Sequence, residues 1–283
     1  MTGKLPNEEQ REHYREDYRE HYSPGYGTEL IRSYQRRSVT KEASFLISHL
    51  KPGMSLLDCG CGPGTITAGL ANLIAPGQVT GIDKEAGQID RAYAYARDQD
   101  VINVCFQEAD IYQLPFADES FDVVFMHALL QHLQNPLKAL KEANRVLKPG
   151  GIIGVRDDDQ GSLIMAPYDD KMERVIQLLK QVMKYSEGDP YAGRRHRELL
   201  GMAGFTNIQA TASCESDGIL EETRKRGNLA AKLLEHMSET IVQQGWCTKK
   251  ELTELQAACR EWGQNPDAFD AITWCEAVGW KPL

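Results

Sequence analysis

The chain has 283 residues and a formal net charge of −9. That length holds one α/β domain of about 200 residues with added helices, or two small domains, and an acidic surface repels phosphate backbones, which disfavours nucleic acid as a partner. No apolar run approaches the roughly 18 residues of a membrane span, and the charged stretch from Met1 to Glu20 does not read as a secretory signal, so the expectation is a cytoplasmic protein.

Residues 8 to 22 are charged and carry Tyr14, Tyr18 and Tyr22 at a spacing of four, on one helical face. Ser23-Pro24-Gly25 breaks that helix, and a second is predicted from Thr28 to about His49, ended by Lys51-Pro52-Gly53. Strands are then expected at Met54–Asp58, Val79–Asp83, Val104–Glu108, Phe121–Met126 and Ile152–Arg156. Helices at Thr65–Ile74, Ala86–Gln99 and Pro136–Leu147 alternate with them, and Lys148-Pro149-Gly150-Gly151 reads as a sharp turn. Short apolar strands alternating with helices predict an α/β fold with a doubly wound, mostly parallel sheet covered on both faces. Helices at Asp169–Tyr185, His196–Ala203, Ile219–Gln244 and Lys249–Trp262 follow. Two further strands, Thr206–Ala212 and Ala268–Trp274, bring the sheet to seven. The basic run Arg194, Arg195, His196 and Arg197 reads as the solvated first turns of a helix. None of the seven cysteines forms a CxxC pair and their spacing fits no zinc template, so free, mostly buried thiols and no metal site are expected.

The chemistry concentrates at the end of the first strand, in Asp58-Cys59-Gly60-Cys61-Gly62-Pro63-Gly64. Glycines at alternate positions let the backbone approach a ligand and turn into a helix, whose N-terminus attracts a carboxylate or phosphate. Asp83 ends the next strand 19 residues after Gly64, where an acid can accept hydrogen bonds from ribose hydroxyls. Three glycines also make a plain tight turn; the acid in register favours a ligand. A dinucleotide and S-adenosylmethionine (SAM) both suit such a loop. The dinucleotide fingerprint G-x-G-x-x-G is broken here, because the third glycine comes one residue early and Thr65 takes its place.

Residues 54 to 157 resemble the class I SAM-dependent methyltransferases, of the group that holds the ubiquinone and menaquinone biosynthesis enzymes and many natural-product methyltransferases. The resemblance rests on Asp58 to Gly64, on Asp83, and on Ala109-Asp110-Ile111 followed by Leu114-Pro115-Phe116. It continues in Phe121-Asp122-Val123-Val124 and in Arg145-Val146-Leu147-Lys148-Pro149-Gly150-Gly151. It implies SAM as cofactor, with Asp58, Gly60, Gly62, Gly64, Asp83, Lys84, Gln88, Asp110, Ile111 and His127 around it. Asp83 would meet the ribose and Asp110 the adenine amino group, although an acid at 110 also serves as a helix cap. Asp122 reads as a cap of its strand. Tyr22, Tyr26 and Arg37 are candidates from an N-terminal segment folded over the cofactor, the tyrosines toward the sulfonium by cation–π attraction and Arg37 toward the methionyl carboxylate. The domain division that follows is an N-terminal helical lid (1–50), a SAM-binding core (51–160) and a segment (161–283) that completes the sheet with helical insertions covering an acceptor.

His127, His132 and Asp157 are the candidate bases, and a carbon or thiolate nucleophile needs none. The acceptor is expected to be a small, partly apolar molecule methylated at O, N or C. The sequence leaves room for a homo-oligomer. Aminomethylating DNA enzymes carry Asn/Asp-Pro-Pro-aromatic after the fourth strand, where this chain has Met126-His127-Ala128-Leu129. Arsenite methylation, using the loop cysteines, is a minor rival, and a SAM-binding scaffold or non-methylating enzyme is the alternative class.

Overall fold

The structure is a computed structural model and describes Pro24, Gly25 and residues 27–283; Tyr14, Tyr18, Tyr22 and Tyr26 lie outside the described residues. Apolar, β-branched runs form the central strands. β1 (Ser55–Cys59) and β4 (Phe121–His127) are buried along nearly their whole length, as strands covered on both faces must be. With β2 (Gln78–Asp83), β3 (Val104–Glu108), β5 (Leu147–Ala166), β6 (Thr206–Asp217) and β7 (Phe269–Trp280) they make one seven-stranded sheet, ordered β3-β2-β1-β4-β5-β7-β6. β1 to β5 pair in parallel, whereas β7 runs antiparallel between β5 and β6. The order reverses between β1 and β4, which opens a crevice at their carboxyl ends.

Leu56 and Leu57, successive residues of β1, are both fully buried and serve opposite faces of the sheet. Each removes enough apolar area to contribute about 1.5–3 kcal/mol. Leu56 packs with α4 (Thr65–Ile74), α5 (Ala86–Asp98) and the N-terminal helices. Leu57 packs with α6 (Pro136–Val146) and α8 (His196–Met202). A third apolar cluster lies outside the sheet, among α7 (Asp170–Tyr185), α9 (Leu220–His236), α10 (Ser238–Gln243) and α11 (Lys249–Gln264). Local chemistry starts these helices: Asn135, Asp169 and Thr248 each accept a backbone N–H from the first turn, and Pro136 opens α6.

Four expectations are corrected. The helix foreseen from Thr28 to about His49 is three short pieces, α1 (Thr28–Tyr34), α2 (Val39–Glu42) and α3 (Ser44–Ile47). The Glu42 carboxylate accepts the Ser38 N–H at 2.6 Å, so a new helix starts there. The helix foreseen over Ile219–Gln244 is divided at Met237 into α9 and α10. Lys148 to Gly151 form an irregularity inside β5 instead of a turn before it: the register jumps from Phe121↔Leu147 to Val123↔Ile152, with Gly150 at φ +74°. β5 also runs on past Arg156 to Ala166, because β7 pairs with it from Ile152↔Trp280 to Ala166↔Phe269.

The helices outside the sheet meet backbone to backbone. A Cβ on Gly227 of α9 would lie 2.3 Å from the Cys259 carbonyl oxygen of α11. Gly227→Ala is therefore expected to lower stability by about 1–3 kcal/mol through overpacking. Gly201→Ala in α8, where the nearest atom to a new Cβ is 3.8 Å away, should raise stability by about 0.5–1 kcal/mol through helix propensity. Thermal denaturation of the two variants should give shifts of opposite sign.

Candidate active site

The loop after β1 is held by backbone geometry. Gly60 and Cys61 donate their N–H groups to the Ile82 carbonyl at 2.8 and 2.9 Å, and Gly62 N donates to Asp83 Oδ2 at 3.0 Å. The tips of β1 and β2 are thereby fastened together. Gly62, at φ +52°, faces open space where a Cβ would meet nothing within 4 Å. Gly64, at φ +80°, has a different duty: a Cβ there would lie 2.8 Å from the Cβ of Ala92, so its bareness lets α4 approach α5.

The loop floors a cavity of about 140 Å³ at the carboxyl ends of the strands. Of the expected cofactor residues, Arg37, Asp58, Gly60, Gly62, Asp83, Lys84, Gln88, Asp110, Ile111 and His127 line it, as does His132. Gly64 and Asp157 do not, and Tyr22 and Tyr26 lie outside the described residues. Tyr34, which sequence reading missed, lines the cavity with the Arg37 guanidinium 4.3 Å from its ring centroid. Its signal was position only, three residues before Arg37.

Burial sets the electrostatics. Asp58 Oδ2 accepts the Thr67 hydroxyl at 2.6 Å, yet burial pushes its carboxyl up to about 7. Burial also raises Asp83, offset in part by N–H groups of Glu85 and Gly62 at 3.0 Å. Each Asp83 oxygen keeps a lone pair for a further donor. Asp110 Oδ1 accepts the Tyr112 N–H at 2.8 Å, closing a turn rather than capping a helix. Burial, followed by the charges of Arg37 and Arg156, holds His127 well below the ordinary imidazole range, so it is neutral; both of its ring nitrogens are buried and have no hydrogen-bond partner among the described residues. His132 is likewise lowered, to about 4, with burial the main cause. Gln88 Oε1 is a further buried acceptor without a partner. Asp122 sits at the other end of the sheet, accepting from Ser55 and Lys148.

A polar ladder runs down β5. Side chains alternate between the faces of a strand. The register His127↔Arg156↔Glu276 therefore sets those three side by side. Arg156, 1% exposed, donates to Glu276 at 3.2 Å and to Glu215 at 2.7 Å, and lies 4.3 Å over the Trp274 ring. Asp157 faces the opposite way. Its Oδ2 lies 2.9 Å from His196 Nε2 and its Oδ1 accepts the Gln131 N–H at 3.3 Å. Asp159 takes a two-pronged contact from Arg194 at 2.6 and 2.7 Å. The basic run 194–197 is thus only partly solvated, and His196 is 2% exposed. Asp158, back on the His127 face, borders a second cavity of about 230 Å³ walled by α7, α9 and the outer parts of β5 and β7.

A family model described as "Methyltransferase domain" matches residues 50–262. The chain belongs to this family, a family of class I SAM-dependent methyltransferases, whose cofactor is S-adenosyl-L-methionine. It is 31% identical over 281 residues to the probable methyltransferase ltbC of Aspergillus luteorubrus, covering 91% of this chain and 96% of that one. It is 34% identical over 134 residues to a demethylmenaquinone methyltransferase of Staphylococcus aureus, covering 47% of this chain and 55% of that one. Among solved structures, the [4+2]-cyclase SpnF matches with a TM-score of 0.50 at 25% identity, over 88% of this chain and 85% of that one. No helix among the described residues is long and apolar enough to cross a membrane.

The loop thiols are poor nucleophiles. Burial raises Cys59 and Cys61 well above the ordinary thiol range, with Asp58 adding to the effect. Cys105 and Cys214 are exposed. Iodoacetamide at pH 8 is expected to label the exposed pair at least about tenfold faster than the loop pair, read by peptide mass spectrometry. Equal labelling of Cys59 would contradict its burial.

Proposed function

We propose that this chain methylates a small-molecule acceptor, with SAM held in the glycine-loop cavity and the acceptor beneath the helices that cover the sheet. The observation that carries the reading is the coincidence, in one cavity, of two half-satisfied carboxylates, a bare stretch of backbone and a guanidinium. Asp83 has acceptor capacity left for a ribose diol, and Asp110 for an adenine amino group. Gly62 leaves the backbone open to close approach, and Arg37 suits the methionyl carboxylate. The buried, partnerless acceptors on Gln88 and His127 also suit a cavity built to be filled by a polar ligand.

When bound, the cofactor supplies a methyl group on a sulfonium that is already electrophilic. The protein's part is to align the acceptor, exclude water and take up a proton where the nucleophile carries one. Alignment alone is worth up to about 7–11 kcal/mol in favourable cases. Neutral His127 and His132 line the cavity and can serve as hydrogen-bond acceptors there. Asp157 is tied to His196 and Gln131 on the other face, which fits a positioning role better than that of a base. A second reading, a cofactor-binding fold that catalyses another rearrangement, draws on the likeness to the [4+2]-cyclase. Transfer of labelled methyl from SAM into a metabolite extract separates the two.

Asp83→Ala is expected to weaken SAM binding by about 1.5–3 kcal/mol, because the lost hydrogen bonds have a charged acceptor. Part of that loss comes from freeing Gly62 N, so Asp83→Asn should fall between the two. Isothermal calorimetry on the folded variants decides; unchanged affinity in Asp83→Ala would remove Asp83 from the cofactor site.

A further inference from the structure

The second cavity has a composition unlike the first. Four methionines, Met165, Met172, Met183 and Met237, contribute to apolar walls, and thioether side chains adapt to flat or irregular ligands. Its polar groups are few. Asp158 and Asp270 each present a buried carboxylate oxygen, Oδ1, that has no partner among the described residues. The other Asp270 oxygen lies 3.2 Å from Arg226, which also pairs with Asp217 at 2.9 Å. Unpaired buried acceptors cost free energy unless something supplies a donor, and nothing among the described residues does so at Asp158 Oδ1.

The position of Asp158 is as informative as its lack of a partner. The register places it across from Trp274 and two residues beyond Arg156, on the face that carries His127. The Trp274 ring centroid lies 5.1 Å from that of His127. His127 borders the glycine-loop cavity and Asp158 borders the second, so the two cavities flank one row of side chains, His127–Trp274–Asp158. A group donated toward Asp158 stands at the edge nearest the cofactor site.

Resting on the methyl-transfer reading above, we propose that the second cavity is the acceptor site, that it takes a flat apolar molecule bearing a phenolic or enolic hydroxyl, and that Asp158 accepts the hydroxyl proton during O-methylation. The O–H bond breaks toward the Asp158 carboxylate and the oxygen's electron pair forms the new bond to the methyl carbon. The pair of the breaking C–S bond stays on sulfur, which leaves as a neutral thioether. Burial, with Asp157 next in effect, brings the Asp158 carboxyl up to about 7, a range in which it can both hold and release a proton near neutrality. Arg37 and Arg226 act on Asp158 in the opposite sense. Arg37 in the first cavity and Arg226 in the second suit an oxyanion in the making, and an ammonium nitrogen holds no lone pair to take the methyl, which is why a hydroxyl fits better than a protonated amine.

The test uses the full chain and three probes of one shape: 2-naphthol, 2-methoxynaphthalene and naphthylmethylammonium. Binding is followed by calorimetry and tryptophan fluorescence, with SAM titrated into the same samples. The wild type should bind 2-naphthol about tenfold more tightly than the methyl ether, as expected for a hydrogen bond to a charged acceptor. Asp158→Asn should erase most of that preference, and Ile176→Trp, which fills the cavity from its rim, should abolish binding of all three probes. SAM affinity retained in both variants shows that they are folded. With a hydroxyl acceptor that the wild type turns over, Asp158→Asn should lower kcat by about 100-fold or more. Equal binding of naphthol and its ether, a preference for the ammonium, or naphthol binding that survives Ile176→Trp would overturn the proposal while leaving methyl transfer standing. A wild-type chain that binds no SAM would overturn both.

Discussion

Four consecutive charged residues, Arg156 to Asp159, run through the middle of a sheet, and the arrangement around the site depends on how they are paired. Removing one partner of a buried ion pair typically costs about 3–5 kcal/mol, so each such charge dictates its neighbourhood. Arg156 draws Glu276 from β7 and Glu215 from β6, which fixes the antiparallel pair beside β5. Lys41 reaches Glu215 at 2.9 Å and brings the N-terminal helices onto the same face. On the opposite face, Asp157 holds His196 at the start of α8 and the backbone of Gln131, the loop that leads from β4 past His132. Asp159 anchors Arg194 just before α8. Among the described residues Arg156 keeps a buried Nη1 and Asp158 a buried Oδ1 without a partner, and Asp158 is the member of the four that lines the second cavity.

The same four residues mark where sequence reading loses the fold. β1 to β4 and the helices between them fall within a residue or two of the expected limits, because apolar runs alternate there with amphipathic ones. The sequence reading ends β5 at Arg156. The strand continues because most of its charges meet partners distant in the chain: Asp157 meets His196 39 positions on, Asp159 meets Arg194 35 positions on, and Arg156 meets Glu276 120 positions on. Propensity weighed over a short window carries no information about such a partner. The bulge at Lys148–Gly151 is a milder case, in which proline and glycines signal a departure from regular backbone without saying that pairing resumes afterwards.

The site divides along the same line. Asp58, Gly60, Gly62 and Asp83 were legible because they lie at strand ends in fixed order, where an α/β crevice must form, and Asp110 through the resemblance. Arg37 was legible only through the resemblance, and Tyr34 beside it was not legible at all. Asp158 of β5 and Trp274 of β7 are brought opposite each other by the antiparallel return of β7, which no local spacing encodes. Gly64 shows that a residue can match a cofactor motif and still serve packing: its bare α-carbon admits Ala92, and it does not line the cavity.

Net charge also reads differently at the site than over the chain. The protein carries −9 overall, yet Arg37 and Lys84 line the first cavity, Arg226 the second, and Arg156 stands between them. Burial raises the carboxyls of Asp58, Asp83 and Asp158 alike, and in a medium of low effective dielectric a nearby guanidinium offsets that rise far more strongly than it would in water. Arg37 acts at once on His127, His132 and Asp158. It lowers the histidines, which keeps them neutral, and it lowers Asp158, which favours the carboxylate. One cation thus biases His127 and His132 at the first cavity and Asp158 at the second toward forms that accept a hydrogen bond, and the field there follows from where a few guanidinium groups are anchored.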